Sequence, residues 1–197
     1  MDIFEEKNNL RKIFIEKRKQ IDFTKQQDLS QQIARNFQLM VMDKNIDFKC
    51  KIIGSYMPTK YEAKPIFIEE FLLKNNCELC FPRIDDYENL LDFKLTKEKN
   101  NFIFNNKYKK IQEPPKSNDI IIPDIVLVPL LSFDASLNRL GMGQGFYDRT
   151  IRNLKLKNPK LITIGIAFDF QQSLQGLPNN KSDSSLDFIV SNSRYYS

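Results

Sequence analysis

Apolar residues recur at helical spacing in the first quarter of the chain and at strand spacing from about Cys50 onward. Between Lys7 and Ile21, at about 100° per residue, Leu10, Ile13, Phe14 and Ile21 fall on one side of a helix. Lys7, Arg11 and Arg18 share an arc of roughly 40° beside that side. The stripe reads either as snorkelling cations along an amphipathic helix or as the rim of an anion pocket. A second helix is predicted from Thr24, where Thr24-Lys25-Gln26-Gln27 fits a capping box and Leu29, Ile33, Phe37 and Met40 follow at helical intervals. Asn45 and Asp47 mark the loop after it.

Strand-like and helical stretches then alternate. Lys51 to Tyr56 reads as a strand, Pro65 to Lys74 as a helix and Cys77 to Phe81 as the next strand, which is the spacing of a parallel crossover. Leu91 to Leu95 and Phe102 to Phe104 read as shorter strands that can form a hairpin, and Glu113-Pro114-Pro115 begins a rigid connection. Ile125-Val126-Leu127-Val128, bounded by Pro123 and Pro129, has the unbroken apolar character of a central strand buried on both faces. A helix from Tyr147 to Leu154, a buried strand over Leu161 to Ile166 and a last strand over Leu186 to Val190 complete the series. No repeat or low-complexity linker divides it. The expected fold class is α/β: a single three-layer α/β/α domain over residues 1–197 with a mostly parallel central sheet.

Composition narrows the chemistry more than the architecture. With 197 residues and 41% apolar content there is ample material for a core, and no apolar run reaches the roughly 18 residues of a membrane span. The N-terminus lacks the order of a secretory signal, so a cytoplasmic address is expected. There is no His, which excludes a Ser-His-Asp triad, a Cys-His pair, a His-ligated zinc and a His general base. Proton or phosphate chemistry must rest on carboxylates, Lys, Arg, Tyr, main-chain amides or a bound cation. Cys50, Cys77 and Cys80 are too few for a disulfide framework, and the Cys77-Glu78-Leu79-Cys80 spacing lies in a strand-like run, so structural burial is expected. A net charge of +5 suits nucleic acid or an anionic small molecule without choosing between them.

Three of the six glycines fall within five positions, in Arg139-Leu140-Gly141-Met142-Gly143-Gln144-Gly145-Phe146-Tyr147-Asp148-Arg149. Such a run permits a strained turn, and it equally lets consecutive amides approach an anion beside a helix N-terminus. Phosphate binding is the favoured reading, with Arg139 and Arg149 as flanking donors. The spacing is neither that of the P-loop nor that of the dinucleotide fingerprint. Asp148 closes the run and Asp183 lies far downstream. Carboxylates beside a phosphate cradle suit Mg²⁺, although Asp148 alone also suits the first turn of a helix.

The pattern Leu127-Val128-Pro129 through Phe133-Asp134, followed by Arg139-Leu140-Gly141-x-Gly143-x-Gly145-Phe146-Tyr147-Asp148-Arg149, resembles the signature of the 5-formyltetrahydrofolate cyclo-ligase family. Similarity extends to Lys7-x-x-Leu10-Arg11, Tyr56-Met57-Pro58 with Glu62, Phe81-Pro82-Arg83, Glu113-Pro114, and Leu177-Pro178 with Asp183. The resemblance implies ATP-dependent closure of 5-formyltetrahydrofolate to 5,10-methenyltetrahydrofolate, with ATP and Mg²⁺ as cofactors. It implies catalytic roles for Arg139, Tyr147 and Glu62. Lys7, Arg11 and the segment Arg139, Leu140, Gly141, Met142, Gly143, Gln144, Gly145, Phe146 and Tyr147 would bind ATP. Met57, Glu62, Met142, Gly143, Gln144, Gly145 and Phe146 would bind the folate, and Asp148 and Asp183 the metal. The sequence departs from the family pattern at Asn138, Met142, Gln144, Asn180 and Ser182, the last two standing where Glu and His are common.

The expected partner is the small-molecule substrate, with no nucleic acid, no membrane and a monomeric chain. Three other readings stand beside it: another phosphate-binding α/β enzyme with a different acceptor, a nucleic-acid module, and a folate-binding protein without turnover. The second lacks the aromatic-basic interleaving of a stacking platform.

Overall fold

The computed structural model describes every residue except Met1, Asp86, Glu88, Asn89, Lys97 and Glu98. Two helices lead, α1 (Ile3–Lys19) and α2 (Phe23–Asp43), followed by β1 (Ile52–Gly54), α3 (Ile66–Lys74), β2 (Glu78–Ile84) and β3 (Leu91–Leu95). Short β4 (Ile103–Phe104) and β5 (Gln112–Glu113) precede the central β6 (Ile125–Pro129). A small hairpin of β7 (Ser132–Phe133) and β8 (Arg139–Leu140) leads to α4 (Phe146–Lys157), and β9 (Ile162–Ile166), β10 (Phe188–Val190) and β11 (Tyr195–Tyr196) end the chain. Among the described residues no helix is long and apolar enough to cross a membrane.

Seven strands form one sheet in the order β11-β10-β9-β6-β1-β2-β3. The five central strands run parallel, and β3 and β11 pair antiparallel at the two edges. The unbroken apolar run 125–128 is the middle of this sheet because its alternate side chains serve two cores. Ile125 and Leu127 join Phe37, Ile53, Leu72 and Phe81 on the face covered by α2 and α3. Val126 and Val128 join Phe133, Ile151 and Leu154 on the α4 face. A strand buried on both faces cannot alternate apolar with polar. The same geometry separates Cys77 from Cys80: the two are buried in opposite cores, so neither a shared metal nor a bridge between them is possible.

Several local expectations are corrected. Helix α2 is capped by Asp22, whose carboxylate accepts from Lys25 N at 2.8 Å, and Thr24 is already inside the first turn. An extended Asp just ahead of the helix reaches the N3 amide and leaves Thr24 no capping task. Leu91–Leu95 and the Phe102 segment form no hairpin with each other. Strand β3 returns along β2, with Pro82 opposite Phe93, and β4 pairs with β5. In α1, Ile13 is 49% exposed, whereas Lys7, Phe14 and Arg18 are the buried positions. The face expected to be apolar therefore turns partly to solvent, and the cationic stripe turns inward. The β7–β8 hairpin and the edge strand β11 had no sequence signal strong enough to announce them, being two residues each.

The strand order reverses between β1 and β6, since β1 leads outward to β2 and β6 outward to β9. In open α/β sheets the crevice beyond the carboxyl ends of such strands is where ligands bind. Within the sheet, Gly165 faces Val128 on one side and Ile189 on the other. A Cβ there would lie 2.7 Å from Leu186 Cδ1 and 2.8 Å from Leu130 Cδ2, both in the α4-side core. Gly165→Ala is expected to cost about 1–3 kcal/mol by overpacking, seen as a Tm lowered by roughly 2–4 °C per kcal/mol. An unchanged midpoint would mean the two leucines can yield without loss.

Candidate active site

Beyond β1 the chain enters a loop, residues 55–65, that is tied down from beneath. Tyr56 donates its hydroxyl to the Ala63 carbonyl at 2.6 Å, and Gln26 of α2 donates to the carbonyls of Lys60 and Glu62 at 3.0 and 2.7 Å. Ser30, one turn further along α2, accepts from Lys64 N at 3.0 Å. Glu62 folds back so that its Oε2 accepts from Thr59 N at 2.7 Å, while Oε1 lies 3.6 Å from the Arg18 guanidinium. Met57, half-buried, packs against the core under α2 and α3.

Beyond β6, buried Gln171 donates to the carbonyls of Leu130 and Leu131 at 2.8 and 3.0 Å, fixing where the chain leaves the sheet. The hairpin turn is organised by Asp134, whose carboxylate accepts from Ser136 N, Asn138 N and Asn138 Nδ2, and also from Leu177 N across the site. Arg139 leaves β8 with its side chain only 3% exposed and donates to Asp148 Oδ1 at 2.7 Å. Its Nε is buried and, among the described residues, has no partner. An unpaired donor at such a place costs stability and is open to an arriving anion.

The glycine-rich loop spans that ion pair. Gly143 and Gly145 have φ of 97° and 68°, the left-handed region that glycine enters without penalty. A Cβ on Gly143 would lie 3.1 Å from the Arg11 guanidinium carbon, and one on Gly145 2.7 Å from Arg149 Nη1. Arg11 in turn donates through Nε to the Gly141 carbonyl at 3.0 Å, and Arg149 donates to the Gln144 carbonyl at 3.0 Å. Gly145 is the residue ahead of α4 and offers no side-chain cap, so the positive end of α4 opens onto the loop. Leu140 is buried and Met142 is 58% exposed, so Leu140 meets any ligand only through its main chain. Phe146 packs edge-on against Tyr108, with ring centres 5.5 Å apart.

Asp183 reaches the same corner from the loop before β10. It accepts from Asn180 N at 2.8 Å and is ion-paired with Lys7 of α1. The next residue, Ser184, donates its main-chain N–H to Asp148 Oδ1 at 3.1 Å, so the two aspartates approach each other through one peptide unit. The described residues contain no cluster of three or more His, Cys, Asp or Glu side chains. Two carboxylates nevertheless fit Mg²⁺, which takes one or two from protein and completes its shell with phosphate oxygens and water. Both carboxylates are balanced by cations, Asp148 by Arg139 and Asp183 by Lys7.

Burial lowers the Arg139 pKa, opposed by Asp148, Tyr147 and Asp183. The Tyr147 phenol is pushed up by burial and further by Glu62, against the pull of Arg139. It is therefore a neutral hydroxyl at ordinary pH, able to donate but unsuited to act as a phenolate base. Tyr147 lies within electrostatic reach of Glu62 and Arg139 together, which puts the Glu62 side chain near the start of α4. An open cavity of about 400 Å³ borders this corner at Asp183 and Ser184, but its other walls are Ser185 and, along α4, Ile151, Arg152, Lys155 and Leu156.

The structure thus brings Lys7, Arg11, Glu62, the 139–148 segment and Asp183 to one crevice. Arg18, one of the three stripe cations that could rim an anion pocket, joins them, as do Ser184 and Tyr108, which had not been singled out. Arg18 had a signal in its phase on α1, the same as that of Lys7 and Arg11, whereas Ser184 and Tyr108 had none.

Residues 3–192 match the family model described as 5-formyltetrahydrofolate cyclo-ligase family. A 5-formyltetrahydrofolate cyclo-ligase of Mycoplasma genitalium is 33% identical over 190 residues, spanning 95% of this chain and 98% of the relative. Its counterpart from Mycoplasma pneumoniae is 32% identical over 169 residues, 85% of this chain and 88% of the relative. Among solved structures, a 5,10-methenyltetrahydrofolate synthetase from Mycoplasma pneumoniae superposes with a TM-score of 0.72 at 26% identity, over 94% of this chain and 98% of the other. The Aquifex aeolicus 5,10-methenyltetrahydrofolate synthetase gives a TM-score of 0.75 at 26% identity, over 96% and 91%. The match runs through every segment that walls the crevice, from Lys7 to Asp183, and carries the same α/β fold with it: the chain is an enzyme and belongs to the 5-formyltetrahydrofolate cyclo-ligase family.

Proposed function

We propose that this enzyme couples ATP hydrolysis to closure of 5-formyltetrahydrofolate, giving 5,10-methenyltetrahydrofolate, ADP and phosphate, with Mg²⁺ as the companion ion. The observation that carries the reading is the meeting of Asp148 and Asp183 through Ser184 N, beside a glycine-rich loop at the uncapped start of α4. Carboxylates, free amide donors and cations in one corner are what a triphosphate and its metal require.

In this reading the formyl oxygen attacks the γ-phosphorus of ATP, the bond from that phosphorus to the bridging oxygen breaks, and ADP departs. The formyl carbon, made electrophilic by its phosphate, is captured by N10; the N10 proton is lost and phosphate leaves. Phosphoryl transfer asks a protein mainly for positioning and charge neutralisation, so the absence of His is no obstacle. Lys7, Arg11 and Arg139 supply positive charge at the phosphate end, and the Nε of Arg139, unpartnered among the described residues, donates to a phosphate oxygen. Tyr147, held neutral, donates to an oxygen on the transferring group or the formyl group. Glu62 accepts from the folate ring nitrogens, and Met57 packs against the ring. Asp148 and Asp183 would hold Mg²⁺, which neutralises phosphate charge when bound.

The first test is a cofactor screen on the purified chain. The methenyl product, followed by its absorbance, is expected only when ATP, Mg²⁺ and 5-formyltetrahydrofolate are all present; folate binding with no release of ADP would replace the enzyme by a binding protein. Asp148→Asn is expected to lower kcat by about a hundredfold and to raise the Mg²⁺ concentration needed. Met57→Ala is expected to raise the folate KM by about tenfold or more, the scale of a packed side chain of this size, and to leave kcat nearly intact. Equal small effects of the two substitutions would count against the assignment. Lys7→Ala is expected to raise the ATP KM roughly tenfold, as for loss of a charge-assisted contact, with the folate KM little altered.

A further inference from the structure

Resting on the reading of Glu62 as a folate-binding residue, we propose that Arg18 is a positioning residue of the site, holding the Glu62 carboxylate in the orientation that receives the substrate.

The side chain of Arg18 is 8% exposed, beside Lys17 and Lys19, which are both in solvent. A guanidinium is not buried for packing alone, because taking it out of water is costly unless an anion meets it. That anion is Glu62, itself 14% exposed. The Glu62 carboxylate is gripped at two points of different kind. Oε2 is fixed by the Thr59 amide at 2.7 Å, whereas Oε1 sits 3.6 Å from Arg18, within ionic attraction but beyond a full hydrogen bond. Oε1 therefore keeps its lone pairs for a ligand N–H while the charge of the carboxylate is held in place. Tyr56 and Tyr147 feel the same carboxylate, and Arg18 acts on Tyr56 as well, so three segments of the chain converge on this one group.

The loop that carries Glu62 does not rely on Arg18 for its path. Its backbone is held by Gln26, Ser30 and Tyr56. Loss of the Arg18 charge should free the Glu62 side chain and leave the loop standing, which is the signature of positioning rather than of folding. Lys7, Arg11 and Arg18 also share one face of α1, with Lys7 and Arg18 roughly 16 Å apart along its axis. One helix thus delivers cations to both ends of the site, Lys7 and Arg11 to the phosphate end and Arg18 to the folate end.

The test is steady-state kinetics on the full chain carrying Arg18→Met, Arg18→Lys, Glu62→Gln, or Arg18→Met with Glu62→Gln. Arg18→Met is expected to raise the folate KM about tenfold or more, the scale of a misplaced binding group, with the ATP KM within roughly twofold of the parent. Arg18→Lys should recover part of that loss, since it restores charge without the planar fork. The double variant should be no worse than Glu62→Gln alone, because both changes remove one interaction. An unchanged folate KM in Arg18→Met, equal losses in both KM values, or effects that multiply in the double variant would each overturn the proposal. If Arg18→Met does not fold, Arg18→Lys decides, and a parental ratio of the two KM values in it would overturn the proposal. A parental folate KM in Glu62→Gln would instead overturn the role of Glu62 itself.

Discussion

The Arg139–Asp148 pair is the constraint on which the crevice depends. A guanidinium 3% exposed is tolerable only with a carboxylate against it, and Asp148 lies 2.7 Å away. The two residues stand at the two ends of the glycine-rich loop, one leaving β8 and the other in the first turn of α4. Their contact closes the loop into a ring and decides how its amides face. The ring also needs Gly143 and Gly145 at positive φ, so the loop is shaped by two demands at once: a buried charge that must be neutralised and a turn that a larger residue would strain. Because Ser184 N shares Asp148 Oδ1 with Arg139, the same pair anchors the segment that carries Asp183.

Helix α1 stands in an unusual relation to the rest of the molecule. Phe14 is its only fully buried apolar side chain, and Lys7 and Arg18 are its other buried residues. The helix is fastened chiefly by charge, through Lys7 to Asp183, Arg11 to the Gly141 carbonyl and Arg18 to Glu62. These three fastenings fall on three separate loops. A helix attached in this way ties the three loops to one another.

A chain without His must obtain acid-base and electrostatic work from groups that do not titrate near neutrality. The crevice is consistent with that limit. Burial and Glu62 hold the Tyr147 hydroxyl neutral, and Lys7, Arg11 and Arg139 are fixed in place by Asp183, the Gly141 carbonyl and Asp148. Phosphoryl transfer is among the reactions that tolerate such a site, because its demands are orientation and charge.

Much of this was legible in the amino-acid order. The helix and strand periods, the doubly buried run 125–128 and the glycine cluster are local properties, written in residues close together along the chain. The resemblance carried by residues 127–149 picked out the glycine-rich loop for the same reason. What the order of residues did not contain was which distant groups would meet. The reversal of strand order at β1 and β6, the inward turn of the α1 cations and the approach of Ser184 to Asp148 all join segments tens of residues apart. Such contacts are selected by the packing of the whole sheet and its two cores, and a periodicity measured along one segment holds no record of the surface that segment will eventually cover.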